Sequence, residues 1–129
     1  MSKPQAERRV EDTEAMSFVK SIRVSPRKLN LLAQSIRGKT AEAALAQLSF
    51  SPKRVAEDVK KVLESAIANA EDLKTHHKDY SELDTDNLVV KEALAQTAST
   101  MKRFTPKARG SAGPILKRNC HIKIVLSDE

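Results

Sequence analysis

Aromatic side chains are scarce in this chain of 129 residues: Phe18, Phe50, Phe104 and Tyr80 make up the whole set, and there is no tryptophan. A core must therefore be built from Leu, Ile, Val and Ala. The scarcity also argues against a protein that stacks successive bases on several exposed rings. Cys120 is the sole cysteine, which excludes an internal disulfide and a cysteine zinc cluster. No apolar run approaches the roughly 20 residues of a membrane span. The start, Met1 to Glu14, is polar and charged, without the apolar stretch of a signal peptide. A protein of the cytosol or of an organelle matrix is expected, with no membrane partner. Neither a Gly-rich phosphate loop nor a Ser/His/Asp or paired-carboxylate arrangement can be placed, so an enzyme is not expected. The length suits one domain with a single modest core.

Acidic residues are missing from two long blocks. None occurs from Ala15 to Ala41, where Lys20, Arg23, Arg27, Lys28, Arg37 and Lys39 stand. None occurs from Thr100 to Val125, against Lys102, Arg103, Lys107, Arg109, Lys117, Arg118 and Lys123. The carboxylates gather instead between Glu71 and Glu92. The net charge of +6 is moderate, but its segregation points to a polyanion, since each cation that neutralises a phosphate releases counterions. Two solvated faces are the plainer reading of the same blocks.

Residues 1–14 have mixed charge and read as a flexible segment ahead of a single domain, 15–129. Met16, Phe18, Ile22 and Val24 alternate, as one buried face of a strand would. Ser25-Pro26 is a helix start, a hydroxyl cap followed by proline where its missing N–H costs nothing. Leu29, Leu32, Ala33 and Ile36 follow at helical spacing, and Gly38 supplies a stop. Thr40 can cap a second helix with Ala41, Ala44, Leu45 and Leu48 on one face. Ser51-Pro52 repeats the start signal and opens the longest helix. Its stripe is Val55, Val59, Val62, Leu63, Ala66, Ile67 and Ala70, with Lys53, Glu57, Lys60, Lys61 and Glu64 opposite. The periodicity ends between Asp72 and Asp86, which reads as a loop.

A strand begins at Asn87–Glu92. Another ends the chain, with Cys120, Ile122, Ile124 and Leu126 on one face. Between them, 95–100 is small and polar, 101–109 is basic, and 110–114 is turn material. If the strand continued through 94–104 at about 3.3 Å per residue, an arm would reach on the order of 35 Å from the core. A bare two-stranded ribbon is marginal in water, so this arm, at about 94–118, needs order from an external partner. Its basic tip points to nucleic acid.

Four runs, "IRVSPRKLNLLAQSIRGKTAEAALAQLSFSPKR" (22–54), "VLESAIANAE" (62–71), "DNLVVKEA" (86–93) and "MKRFTPKARGSAGPILKRNCHIKIVL" (101–126), resemble the bacterial-type large-subunit ribosomal protein twenty-two family, in order and at nearly its spacing. The resemblance implies an α+β fold: three helices packed on a small antiparallel three-stranded sheet, with a long protruding β-hairpin. It implies a structural constituent of the large ribosomal subunit that binds large-subunit rRNA, supports assembly and lines the nascent peptide exit tunnel with its hairpin. The implied partners are rRNA, neighbouring large-subunit ribosomal proteins and the nascent polypeptide, with no cofactor or metal and no catalysis. The location would be cytoplasmic or an organellar ribosome.

Carried onto this chain, the implied rRNA-binding residues are Arg23, Arg27, Lys28, Lys102, Arg103, Lys107, Arg109, Lys117, Arg118 and His121; the acid-free block adds Lys20, Arg37 and Lys39 as candidates, and the second Ser-Pro helix start adds Lys53 and Arg54. The hairpin tip and tunnel set is Met101, Phe104, Thr105, Pro106, Ala108, Gly110, Ser111 and Gly113. Two departures stand out: the stretch 72–86 is longer and carries His76-His77, and Ser111 and Gly113 occupy positions where the family often has Arg or Lys. The adjacent pair His76-His77, with Asp79 nearby, has no third ligand at regular spacing and makes a poor metal site. The alternative function is a helix-turn-helix DNA-binding protein, from the two short helices around Gly38. Its second helix, "AEAALAQLSF", offers only Gln47 and Ser49 to base edges.

Overall fold

Backbone pairing divides the strands into two sheets. The computed structural model describes residues 10–11, 13–76 and 83–128. In chain order the elements are β1 (Glu14–Ile22), α1 (Pro26–Ile36), α2 (Ala41–Phe50), α3 (Ala56–His76), β2 (Val89–Thr97), β3 (Met101–Pro106), β4 (Ala112–Lys117) and β5 (Cys120–Ser127). The core sheet runs β1-β5-β2, all antiparallel, while β3 and β4 pair only with each other. The expected α+β architecture, three helices on a three-stranded sheet with a hairpin beyond it, is present. Most of the expected flexible segment at 1–14 lies outside the described residues.

β5 sits in the middle because its alternation is the cleanest. Cys120, Ile122, Ile124 and Leu126 are fully buried on the helix side. Ala15, Ser17 and Val19 of β1 and Val90, Ala93 and Ala95 of β2 lie across from that face. α3 covers β1, α1 covers β2, and α2 packs on α3. The stripe Leu29, Leu32, Ala33 and Ile36 of α1 is buried, as are Val59, Val62, Leu63, Ala66 and Ala70 of α3. Each fully buried Leu or Ile contributes about 1.5–3 kcal/mol. Burial pushes the Cys120 thiol's pKa up, and the thiol donates to the Ile22 carbonyl at 3.7 Å, as suits a packing residue.

The stop at Gly38 holds: its φ is +74°, a left-handed conformation that glycine adopts without strain. The Thr40 hydroxyl accepts from the Ala43 N–H at 3.4 Å and so caps α2. The link between α1 and α2 hangs on β2. Gly38 N–H donates to Val90 O (2.9 Å), Val90 N–H to Lys39 O (2.9 Å), and Ala41 N–H to Leu88 O (2.8 Å). These bonds cover part of an otherwise open sheet edge. They also build the turn of the supposed helix-turn-helix into the sheet.

Several sequence expectations need correction. Met16 and Phe18 do not share a buried face with Ile22 and Val24. A bulge after Val19, with Ser21 at φ +58°, brings Ile22 opposite Cys120. One extra residue reverses the side on which every later side chain falls. Met16 and Phe18 therefore lie on the face away from the helices, where Phe18 is 39% exposed, and the buried residues before the bulge are Glu14, Ala15 and Ser17. Ser25 holds the N-cap position of α1, but its side chain makes no capping bond. Ser51-Pro52 does not open α3: Ser51 ends α2, its hydroxyl accepts from the Lys53 N–H at 3.4 Å, and α3 starts at Ala56. The two helices need that turn to pack against each other. α3 also continues to His76, with an i,i+4 contact between His76 and Asp72 at 3.5 Å, so 72–76 is helix and not loop. His77 and Asp79 lie outside the described residues.

The arm begins later than 94. β2 stays paired with β5 as far as Thr97↔Cys120. At the joint, Ala98 N–H donates to Asn119 O (3.2 Å), and the Asn119 amide donates to Ser99 O (3.1 Å). Beyond it, each arm strand has six residues, about 20 Å at the usual rise.

Candidate nucleic-acid interface

The two acid-free blocks meet where the arm leaves the core. Arg23, Val24, Ser25, Lys28, Leu31 and Leu32 come from the first block, Leu116 and Arg118 from the second. Together with Lys53, Arg54 and Val55 they line an open cleft of about 740 Å³. Five cations line it, Arg23, Lys28, Lys53, Arg54 and Arg118, and among the described residues no carboxylate does. Two of the guanidinium groups are tethered: Arg23 Nη1 donates to Arg118 O at 2.5 Å, and Arg54 Nη2 donates to Arg23 O at 3.3 Å. A guanidinium has five N–H donors, so each tether leaves most of the fork for a ligand. Arg27 stands next to this site, sharing a smaller hollow with Ser25, Pro26, Thr97 and Arg118. Distant parts of the sequence thus form one positive surface, the footprint expected of a phosphate-binding protein.

The arm carries the second group. Its register, Met101↔Lys117 through Pro106↔Ala112, sorts the side chains onto two faces. One presents Lys102, Phe104, Pro106, Ala112, Pro114 and Leu116; the other presents Met101, Arg103, Thr105, Gly113, Ile115 and Lys117. Phe104 is 79% exposed and packs on no core. At the tip, Ala108–Gly110 form a short turn in which Arg109 (φ +61°) and Gly110 (φ +74°) are both left-handed. Lys107 N–H donates to Ser111 O at 2.7 Å, and the Ser111 hydroxyl donates to Ala108 O at 2.8 Å, closing the turn. A Cβ on Gly113 would lie 2.7 Å from Lys107 Cε. Gly113 therefore makes room for the Lys107 stem to lie across the ribbon.

The remaining residues expected at the interface are placed elsewhere. Arg37 is tied into the α1–β2 contact, with Nε donating to Ala93 O (2.7 Å) and Nη2 to Asn30 Oδ1 (2.8 Å). Lys39 bonds Gln47. His121 lies on the sheet face away from the helices; its Nδ1 accepts from the Ser21 N–H at 3.0 Å, and its ring meets Phe18 at 5.6 Å. It holds the bulge. Lys20 is exposed near the end of β1, where it helps line a hollow shared with Asp58 and Lys61. Sequence reasoning missed the aliphatic part of the cleft, Leu31 and Leu116, 58% and 46% exposed. The available signal was Leu31 falling off the α1 stripe inside an acid-free block.

Among the described residues, no group of three His, Cys, Asp or Glu gathers as metal ligands, and no helix is long and apolar enough to cross a membrane. α2 has no cation, carries Glu42 in its first turn, and turns Ala41, Ala44 and Leu48 into the core, which leaves the DNA-reading alternative without a reading helix.

Comparison with known proteins adds independent findings. Residues 17–127 match the family model described as Ribosomal protein L22p/L17e. The chain is 54% identical over 126 residues to the large ribosomal subunit protein uL22 of Rhodopseudomonas palustris, spanning 98% of this chain and 94% of the relative. It is 52% identical over 128 residues to the protein of the same name from Methylocella silvestris, with 99% and 94% covered. The same identity and length hold for that of Rhodospirillum rubrum, with 99% and 96% covered.

Proposed function

The chain belongs to the ribosomal protein L22p/L17e family, and from that premise we propose that it is a structural constituent of the large ribosomal subunit, holding large-subunit rRNA on two surfaces. Residues 15–129 act as one rRNA-binding unit in the cytoplasmic ribosome, beside neighbouring large-subunit proteins. The cations at the root of the arm, Arg23, Arg27, Lys28, Lys53, Arg54 and Arg118, grip phosphates at the surface of the RNA. The arm, with Lys102, Arg103, Lys107, Arg109 and Lys117, threads inward, and the RNA supplies the burial that its own strands lack. Along the arm and at its tip, Met101, Phe104, Thr105, Pro106, Ala108, Gly110, Ser111 and Gly113 help form the wall of the nascent peptide exit tunnel. No reaction is catalysed; the work is positioning and assembly. The observation that carries this reading is the family match over residues 17–127, which includes both basic surfaces.

Sedimentation of tagged protein from lysate, before and after a high-salt wash, tests it. Stoichiometric migration with the large subunit that survives the wash is expected. Migration as a free small protein, or with chromosomal DNA, would overturn it.

A further inference from the structure

The cleft at the root of the arm has chemistry that phosphate binding alone does not explain. A surface that only grips an RNA backbone needs cations and polar groups. This cleft has them, but five of its lining residues are aliphatic: Val24, Leu31, Leu32, Val55 and Leu116. Leu32 and Val24 belong to the core, whereas Leu31 and Leu116 stand 58% and 46% exposed. Exposed aliphatics lining the same cleft as five cations match a ligand that is flat and apolar at one end and anionic at the other. An unpaired nucleotide is such a ligand, and single-stranded or bulged RNA is where unstacked bases are presented. Resting on the RNA-binding reading above, we propose that the cleft receives one base of rRNA extruded from its helix, with the flanking phosphates held by the surrounding cations.

The geometry favours this occupant over a stretch of duplex. The volume of about 740 Å³ falls within the range of sites that enclose a small ligand. A duplex presents its backbone and grooves outward and would leave the exposed Leu31 and Leu116 wet. Guanidinium planes stack on bases, and the tethers on Arg23 and Arg54 hold two such planes at the cleft in advance of binding. The shortage of aromatic rings excludes a row of stacking platforms, but one base between Leu side chains and Arg planes needs none. Leu31 belongs to α1 and Leu116 to β4, so a base seated on both bridges core and arm. It would fix the angle of the joint at 98–100 and 118–119, which few protein bonds hold.

The test uses the full-length protein with two probes: an RNA duplex carrying one bulged 2-aminopurine, and the same duplex fully paired. The wild type should bind the bulged duplex about tenfold more tightly, the scale of one modest apolar burial, with a change in 2-aminopurine fluorescence. Leu31→Ser with Leu116→Ser, both exposed positions, should abolish that preference. Affinity for the paired duplex and its salt dependence should stay as they were. Equal binding of the two probes by the wild type, or a preference that survives both substitutions, overturns the base site while leaving RNA binding intact. Failure to bind either probe overturns the RNA-binding reading and this proposal with it.

Discussion

β4 and β5 are consecutive strands, both antiparallel ribbons, separated only by Arg118 and Asn119, yet they live under opposite conditions. β5 alternates strong aliphatics and has a strand on each side and helices over one face, so Ile122, Ile124 and Leu126 are fully buried. β4 has one neighbour and no cover, and none of its residues is buried. The backbone hydrogen bonding is the same in kind; what differs is whether a third layer exists to receive the side chains. Strand pairing therefore does not by itself distinguish a self-sufficient element from one that awaits a partner. Burial of a face does.

The strongest way to break that contrast is to remove material from each side. Ile124→Ala should cost about 2–5 kcal/mol of stability in urea denaturation, as deletion of buried methylenes does. Deleting Lys102 to Gly113, a far larger change, should shift stability by less than about 1 kcal/mol, because the deleted residues pack on no core. An unfolded deletion variant would show that the arm is part of the core.

A smaller effect sharpens the contrast from the arm's side. Lys107→Ala with Arg109→Ala should leave folding untouched and lower the slope of log affinity for RNA against log salt by about one to two units, as expected for one or two lost phosphate contacts. An unchanged slope removes both residues from the interface.

The smallest effect belongs to the core alone, since residues 98–119 contain no carboxylate. Glu14 is buried, and its bond with Lys91, which outweighs the cost of burial, holds its pKa below the ordinary value of 4.5. A carboxyl group with a lowered folded pKa stabilises above its unfolded pKa, and that contribution is lost as pH falls through the folded value. Glu14→Gln should thus be less stable than wild type at neutral pH, with the gap closing below about pH 4.5. Chemical denaturation across pH 3–7 measures it, and a gap that does not change with pH would remove Glu14 from that role.

Much of this was legible because it depends on local order. Leu29 to Ile36, Val59 to Ala70 and Cys120 to Leu126 announce their period, and buried faces follow from period. Gly38 and Thr40 mark a helix end and a helix start by chemistry that needs no neighbours. Most of the basic residues at both surfaces were visible as blocks without acid, Lys53 and Arg54 being outside them. The bulge at Ser21 was hidden because one inserted residue leaves composition unchanged while reversing the pleat. The late start of α3 was hidden because Ser51-Pro52 serves a tight turn as readily as a helix cap. The role of Arg37 was hidden because its acceptors, Ala93 O and Asn30 Oδ1, are supplied by other elements.

The sequence by itself determined which helices are amphipathic, where charge is segregated, and that a basic arm, read at about 94–118, has few apolar side chains to bury, since these are properties of neighbours along the chain. Only the tertiary structure decided which cations act together. Arg23, Lys28, Lys53, Arg54 and Arg118 come from separate segments, and the packing of α1 and the α2–α3 turn beside the root of the arm brings them around one cleft with Leu31 and Leu116 inside it. The physical reason is that a side chain's neighbours across space are fixed by how elements pack, and no short-range pattern in the chain records them.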